Sequence, residues 1–324
     1  MPLSFDDLAF EVDLPKIPDT APVAVLEYPC LRDAREKVDA FADALGIRIR
    51  TSVAVPHGIL AAAEDGQIEV FSASGAIRGR HTERLGRYED ERRHWPDVEK
   101  IDGRDGLDFV LGADAAKSLT TQGLRILAKA GIERGHGDPR VVLERWGLLD
   151  EKGQEIDAGP GRATVALSYD VEGVPLLGAG AKTNLHFDPS DRTAELARFF
   201  HVHRPLREVG ELRTSPVEAS FGPLLAEEWI SRGVQPGAAR IVVTGAAFGL
   251  LAAPAHLVQH HSMPVLAIEG VVRGDLDGLD EIHFARYLPL HDEKDAAARG
   301  FAPFVESGPG MLAPRARPSR KDAA

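Results

Sequence analysis

The strongest constraint in this sequence is the order of its periodic segments. Strand-like runs arrive in pairs and triples, and helical periods are too few to separate them one by one. A parallel sheet needs a crossover, usually a helix, between most successive strands, whereas antiparallel strands join through short turns. The order therefore predicts antiparallel pairing. The first helical period places Leu31, Ala34, Val38, Phe41, Ala42 and Leu45 on one face, with Asp33, Arg35, Glu36, Lys37, Asp39 and Asp43 on the others. Gly46 stands where a left-handed residue would end that helix. Behind it, Ile47-Arg48-Ile49-Arg50 alternates as a half-buried strand, and Glu64-Asp65-Gly66-Gln67 turns the chain into another, Ile68 to Phe71.

The pattern then repeats. Ala113 to Ala130 is rich in Ala and Leu and stops at Gly131, and Val141 to Leu148 and Ala163 to Val171 read as strands. Glu172-Gly173 is a turn, and its return strand runs from Val174 to Leu177 and resumes over Thr183 to Phe187. A third start at Ser215-Pro216-Val217-Glu218 has an N-cap hydroxyl, a proline at the first helical position and a glutamate three residues after the cap. Val217, Phe221, Leu224, Leu225 and Trp229 give it an apolar face that Gly222-Pro223 interrupts. Strand-like runs follow from Ala239 to Phe248 and from Pro264 to Val272.

The expected fold class is α+β: tandem units, each of one amphipathic helix packed on an antiparallel sheet. The expected organisation is an extended arm over 1–22, a first unit over 23–80, a charged linker over 81–106, second and third units across 107–292 and a polar tail over 293–324. Phe41 and Leu45 would then lie in the first core, and Phe221 and Trp229 in the last.

Charge narrows the function. With 38 Lys+Arg against 50 Asp+Glu the formal charge is −12, which argues against a general nucleic-acid binder. A single cysteine, Cys30, rules out an intrachain disulfide and a Cys-rich zinc site. It follows Pro29 at a helix start and reads as a small packing or capping residue. No run approaches 18 uninterrupted apolar residues, so no transmembrane segment is expected. The first twenty residues are acidic and broken by prolines, without the pattern of a secretory leader, and the expected location is cytoplasmic.

Several strings invite a catalytic reading. Thr244-Gly245-Ala246-Ala247-Phe248-Gly249-Leu250-Leu251 resembles the glycine turn of short-chain dehydrogenases, but Leu251 occupies the place of its last glycine and no Tyr-x-x-x-Lys pair is present. Gly178-Ala179-Gly180-Ala181-Lys182-Thr183 approximates a phosphate loop, yet Ala181 separates the glycine from the lysine and a strand rather than a helix follows. A glycine-rich bend accounts for it. Among 12 histidines, His201 and His203 would share one side of a strand, and His256, His260 and His261 form a second group, with His186 near Asp188 and Asp191. No His-Glu-x-x-His accompanies them. The expectation is therefore no bound nucleotide, metal or other cofactor. The enzyme alternative is a metal-dependent hydrolase built from the His201/His203 and His256/His260/His261 groups.

The helix, the Leu45-Gly46-Ile47 stop and the run Gly66-Gln67-Ile68-Glu69-Val70-Phe71-Ser72-Ala73-Ser74-Gly75-Ala76-Ile77 are similar to PepSY-type domains and related regulatory proteins of bacterial two-component systems. Val165 to Leu176, with its Gly173-Val174-Pro175 turn, and Ser215-Pro216-Val217-Glu218-Ala219 extend the resemblance to about two-thirds of the chain. The resemblance implies a non-catalytic protein that binds peptides or protein partners, and families of this kind include exported and membrane-tethered members. Together with the missing catalytic motif, it predicts a non-enzymatic regulatory protein whose partner is an unidentified protein or peptide. An open antiparallel sheet can accept an extended peptide along an edge. The hairpin at Gly173, Val174, Pro175, Gly178 and Gly180 is the expected binding surface, because glycine leaves backbone accessible.

Overall fold

The computed structural model describes residues 8–26, 31–86, 95, 97–103, 106–132, 138–151, 154–189, 194–202, 206–218, 239–276, 279–301 and 305–307. Among these, 56% lie in strands and 17% in helices, and the sheets include a half-barrel. The expectation of α+β tandem units is overturned, because the helices do not each bring a sheet of their own.

The largest sheet has eight antiparallel strands in the order β3 (Thr51–Val55), β4 (Gly58–Ala62), β5 (Gly66–Phe71), β6 (Ile77–His81), β14 (Glu195–Val202), β13 (Lys182–Asp188), β10 (Glu155–Ser168) and β9 (Arg140–Leu149). Its middle joint is the pairing of β6 with β14, where Phe199 stands opposite Gly79. That joint connects segments more than a hundred residues apart and fuses what the sequence presented as two units. Two helices, α1 (Leu31–Leu45) and α3 (Ala113–Lys129), pack on the same face of this one sheet. Val38, Phe41 and Leu45 from the first meet Leu119, Ile126 and Leu127 from the second in a common core with Ile68, Ile77, Val165, Leu185 and Phe199. The stop at Gly46 is real, with φ 72°, as is the one at Gly131, with φ 64°. Gly123 also has a packing reason: a Cβ there would come within 3.2 Å of Leu185 and 3.3 Å of Val165.

The 81–106 stretch carries more than a linker. It holds α2 (Thr82–Gly86) and β7 (Val98–Gly103), which pairs with β8 (Gly106–Leu111), and buried Trp95 donates its indole N–H to the Gly161 carbonyl at 2.7 Å. Residues 47–50, read as a strand, are irregular, and β3 starts at Thr51.

A second sheet joins β11 (Asp170–Val171), β12 (Val174–Leu177), β16 (Ala239–Leu251), β19 (Pro264–Leu276) and β20 (Leu279–Pro289), with β1 (Leu8–Phe10) parallel to β16. The supposed arm covers it: Leu8, Phe10, Val12 and Ile17 pack on the core of Val243, Leu266 and Val272. A third sheet places β2 (Thr20–Leu26) between β15 (Leu206–Arg213) and β18 (His261–Ser262), and β17 (Leu257–Val258) pairs with β21 (Val305–Ser307). The start of the expected tail is also built in. It forms α4 (Glu293–Ala298), capped by the Asp292 carboxylate, and Ala296 is buried beside Val23, Leu212 and Met263. Phe221, Trp229, Cys30 and residues 308–324 lie outside the described residues.

Candidate functional site

Side chains alternate across a strand, so a sheet sealed by helices on one face must present every second residue on the other. In β6 the run Ile77-Arg78-Gly79-Arg80-His81 buries its odd members and exposes both arginines. In β5, Ile68 and Val70 enter the core, which turns Gln67 and Glu69 to the opposite face. Register links these outward residues into rows. One row runs Val142, Thr164, His186, Arg198, Arg80, Gln67 across β9, β10, β13, β14, β6 and β5. The next runs Arg140, Ala166, Asn184, Phe200, Arg78, Glu69, Leu60. Between them lies a recess of about 390 Å³, lined by Gln67, Glu69, Arg78, Arg80, His186, Arg198 and Phe200 with backbone of Gly79 and Phe199 beneath.

Charge in the recess is organised around two carboxylates. The Glu69 side chain is only 8% exposed, yet it accepts from His57 Nε2 and from Arg78 Nε. Burial alone would push its carboxyl up; the hydrogen bonds from His57 and Arg78 outweigh that and hold it below its ordinary value. Arg78 also lies over the Phe71 ring, 5.1 Å from its centroid. At the other end, Glu144 Oε1 stands 3.3 Å from His186 Nδ1 and 3.4 Å from Arg198 Nη2, and His186 Nδ1 is 2.7 Å from Thr164 Oγ1. The three guanidinium groups of the recess thus face two carboxylates, and one of the three is left without a carboxylate partner. This arrangement can hold an anion by planar guanidinium forks beside an aromatic wall.

The residues singled out from sequence lie elsewhere. Gly173 is an exposed turn residue, φ 82°, whose N–H donates to Asp170 Oδ1 at 3.1 Å. Val174 and Pro175 pair with Val171 and Asp170. Gly178 and Gly180 are not accessible backbone. The Gly180 N–H donates to the Ala252 carbonyl at 3.0 Å, and a Cβ on Gly180 would fall 1.9 Å from the Ala253 oxygen. The end of β16 already occupies the side where a peptide was expected.

His201 lies in the eight-stranded sheet and His261 in the third, while His256 and His260 stand in the segments between strands. His201, on β14 of the eight-stranded sheet, is 2% exposed, and its Nδ1 meets Thr183 Oγ1 at 2.7 Å. That hydroxyl also meets Tyr169 OH at 2.7 Å, and burial pushes the Tyr169 phenol up. His256 is exposed, the His260 carbonyl accepts the Leu26 N–H at 2.9 Å, and His261 pairs with Val25 in the third sheet. His203 is outside the described residues. Among the described residues no group of three or more His, Cys, Asp or Glu is placed to hold a metal ion. Gly245 and Gly249 lie within β16, paired antiparallel with β19, so no helix opens behind them. Among the described residues no helix is long and apolar enough to cross a membrane.

The recess itself was missed in the sequence. Its local signal was present in the alternation Arg78-Gly79-Arg80 beside Gln67-Ile68-Glu69, but Arg198, His186 and Glu144 join it only through long-range register.

No protein-family model matches the chain, and no curated protein matches it. Among solved structures it aligns with an uncharacterized protein from Eubacterium rectale ATCC 33656, at 10% identity over 84% of this chain and 83% of that one, with a TM-score of 0.45.

Proposed function

We propose that this chain is a non-enzymatic binding protein that holds an acidic, extended protein segment on the open face of its eight-stranded sheet. The observation that carries this reading is the asymmetry of that sheet. One face is sealed by α1 and α3, while the other presents an arginine-lined recess with an aromatic wall. Such a surface would cost solvation if it were buried without a partner of opposite charge. The sheet is also long enough for an extended chain to lie across several strands. The expected hairpin at Gly173–Gly180 does not enter this proposal, because the backbone it was to offer is already paired.

The test is a peptide-display selection on the immobilised full chain, repeated with a neutral steric plug. Asn184→Trp fills the open face beside Phe200 without altering an arginine, and Val209→Trp places the same bulk on β15 in another sheet. Acidic peptides that bind the parent and the Val209 variant, but not the Asn184 variant, are the expected result. Selected peptides that are not acidic, or that bind the Asn184 variant as well as the parent, would overturn the reading.

A further inference from the structure

Arg80 and Arg198 stand directly opposite each other on β6 and β14, side chains on the open face. Like charges at a directly opposed cross-strand position repel, and a folding sequence gains nothing from placing them there. The neighbouring cations are compensated internally: Arg78 by Glu69, and Arg198 by Glu144 at 3.4 Å. The Arg80 side chain makes no hydrogen bond or ion pair with any described residue, and its flank on β5 is Gln67, a neutral residue with both donor and acceptor atoms.

We infer that Arg80, with Arg198 beside it, is a subsite for one carboxylate of the bound partner, the side chain of an aspartate or glutamate in the segment held on the open face. The inference rests on the binding reading above and names the group recognised. Charge balance favours a monoanion, since Arg80 is the one guanidinium of the three lining the recess without a carboxylate beside it, and a single carboxylate neutralises it. Geometry selects a carboxylate, since a guanidinium not engaged elsewhere offers two parallel N–H groups that match its two oxygens. Gln67 supplies an amide N–H at the rim. Arg198 keeps its contact with Glu144 and contributes its remaining N–H groups and its field. Phe200, one row over and opposite Arg78, gives the apolar stem of the bound side chain a wall.

The test uses the full-length protein with selectively labelled arginines, titrated with sodium propionate, inorganic phosphate, propionamide and sodium chloride at constant ionic strength. Propionate should shift the Nε–Hε resonance of Arg80, and to a lesser extent that of Arg198, along a saturable curve, while Arg78 Nε, held by Glu69, stays in place. Arg80→Gln should weaken the propionate response read at Arg198 by about tenfold, the loss expected for one charge-assisted hydrogen-bonded pair at a solvated site. Gln67→Ala, which leaves the charges unaltered, should change it less than threefold. Equal shifts with propionamide or chloride would overturn the inference, as would an unchanged propionate response in Arg80→Gln. Phosphate binding more tightly than propionate would overturn the choice of a carboxylate. These outcomes are separate from the fate of the binding reading. If acidic peptides are blocked by Asn184→Trp while propionate leaves Arg80 unmoved, the open face remains the binding surface and the carboxylate subsite falls.

Discussion

Phe41 is the contact through which α1 grips the sheet, and its truncation tests the architecture quantitatively. Its ring is fully buried and stacks on Phe199 with centroids 3.8 Å apart and planes 10° from parallel. Phe41→Ala removes this stack from a close-packed core, and a buried Phe→Ala change costs about 3–5 kcal/mol. Phe199 cannot refill the space freely, because its edge lies over Gly79. A Cβ on Gly79 would sit 2.4 Å from Phe199 Cε1 and 2.9 Å from Cζ. Gly79→Ala should therefore push the Phe199 ring and cost about 1–3 kcal/mol through overpacking. In the Phe41→Ala background that ring has somewhere to go. The two changes should then be sub-additive, with a coupling of about 1–2 kcal/mol, within the range for residues sharing a cavity. Urea unfolding of the four proteins, read with a common slope, gives the cycle. Costs that add to within about 0.5 kcal/mol would refute the argument that Phe199 is clamped between Gly79 and Phe41, and a Phe41→Ala cost below about 1 kcal/mol would refute its place at the centre of the core.

Three further outcomes follow from named groups. Glu69 is held below its ordinary carboxyl value in the fold, so its contribution is fully present above about pH 4.5 and is lost as pH falls through the lower folded value; Glu69→Gln should be less stable than the parent at neutral pH, with urea midpoints that converge on acidification. His291 is held below the ordinary imidazole value by burial, with the Pro264 carbonyl, Glu293 and Asp292 opposing. The unfolded chain therefore takes up its proton first, stability falls as pH drops below about 6.5, and His291→Leu should flatten that slope in the same assay. Gly180→Ala should lower the melting temperature sharply, because its Cβ meets the Ala253 oxygen, whereas Gly173→Ala, strained by φ 82° but in open space, should cost only about 1–2 kcal/mol; equal effects would contradict the placement of these two glycines.

Helices α1 and α3 were legible because their signals are local, whereas the short α2 and α4 fell in stretches read as a linker and a tail. The 3.6-residue stripe from Val38 to Leu45 and the left-handed Gly46 need no knowledge of the rest of the chain. Much of the strand content was legible too, in the runs that became β5, β9, β13, β16 and β19. What failed was the assignment of partners. Nothing in residues 77–81 states that they pair with 195–202, and that single joint converts two expected units into one sheet under two helices. Other strands were hidden by composition. In β2, Pro22 looks like a breaker but sits opposite Glu211, in a strand that carries buried Ala21, Val23 and Ala24. In β14 the run Phe199-Phe200-His201-Val202 lacks clean alternation, because Val202 leaves the main core for a contact with Phe71, Ala76 and Ala255. Strand β20 did alternate, with Phe284 and Leu288 both buried, and that signal went unread. The recess was the least legible part. Its arginines and carboxylates come from strands scattered between residues 67 and 198, and only the register places them side by side.

The central claim, that partners bind on the open face of the eight-stranded sheet, is tested most directly by amide hydrogen exchange on the full chain with and without a selected acidic peptide. The account predicts slowed exchange in 66–71, 77–81 and 195–202, the strands that floor the recess, with little change in 239–251 and 264–276 of the second sheet. Protection confined to the second sheet, or to the 173–180 hairpin, with the recess strands unchanged, would contradict it.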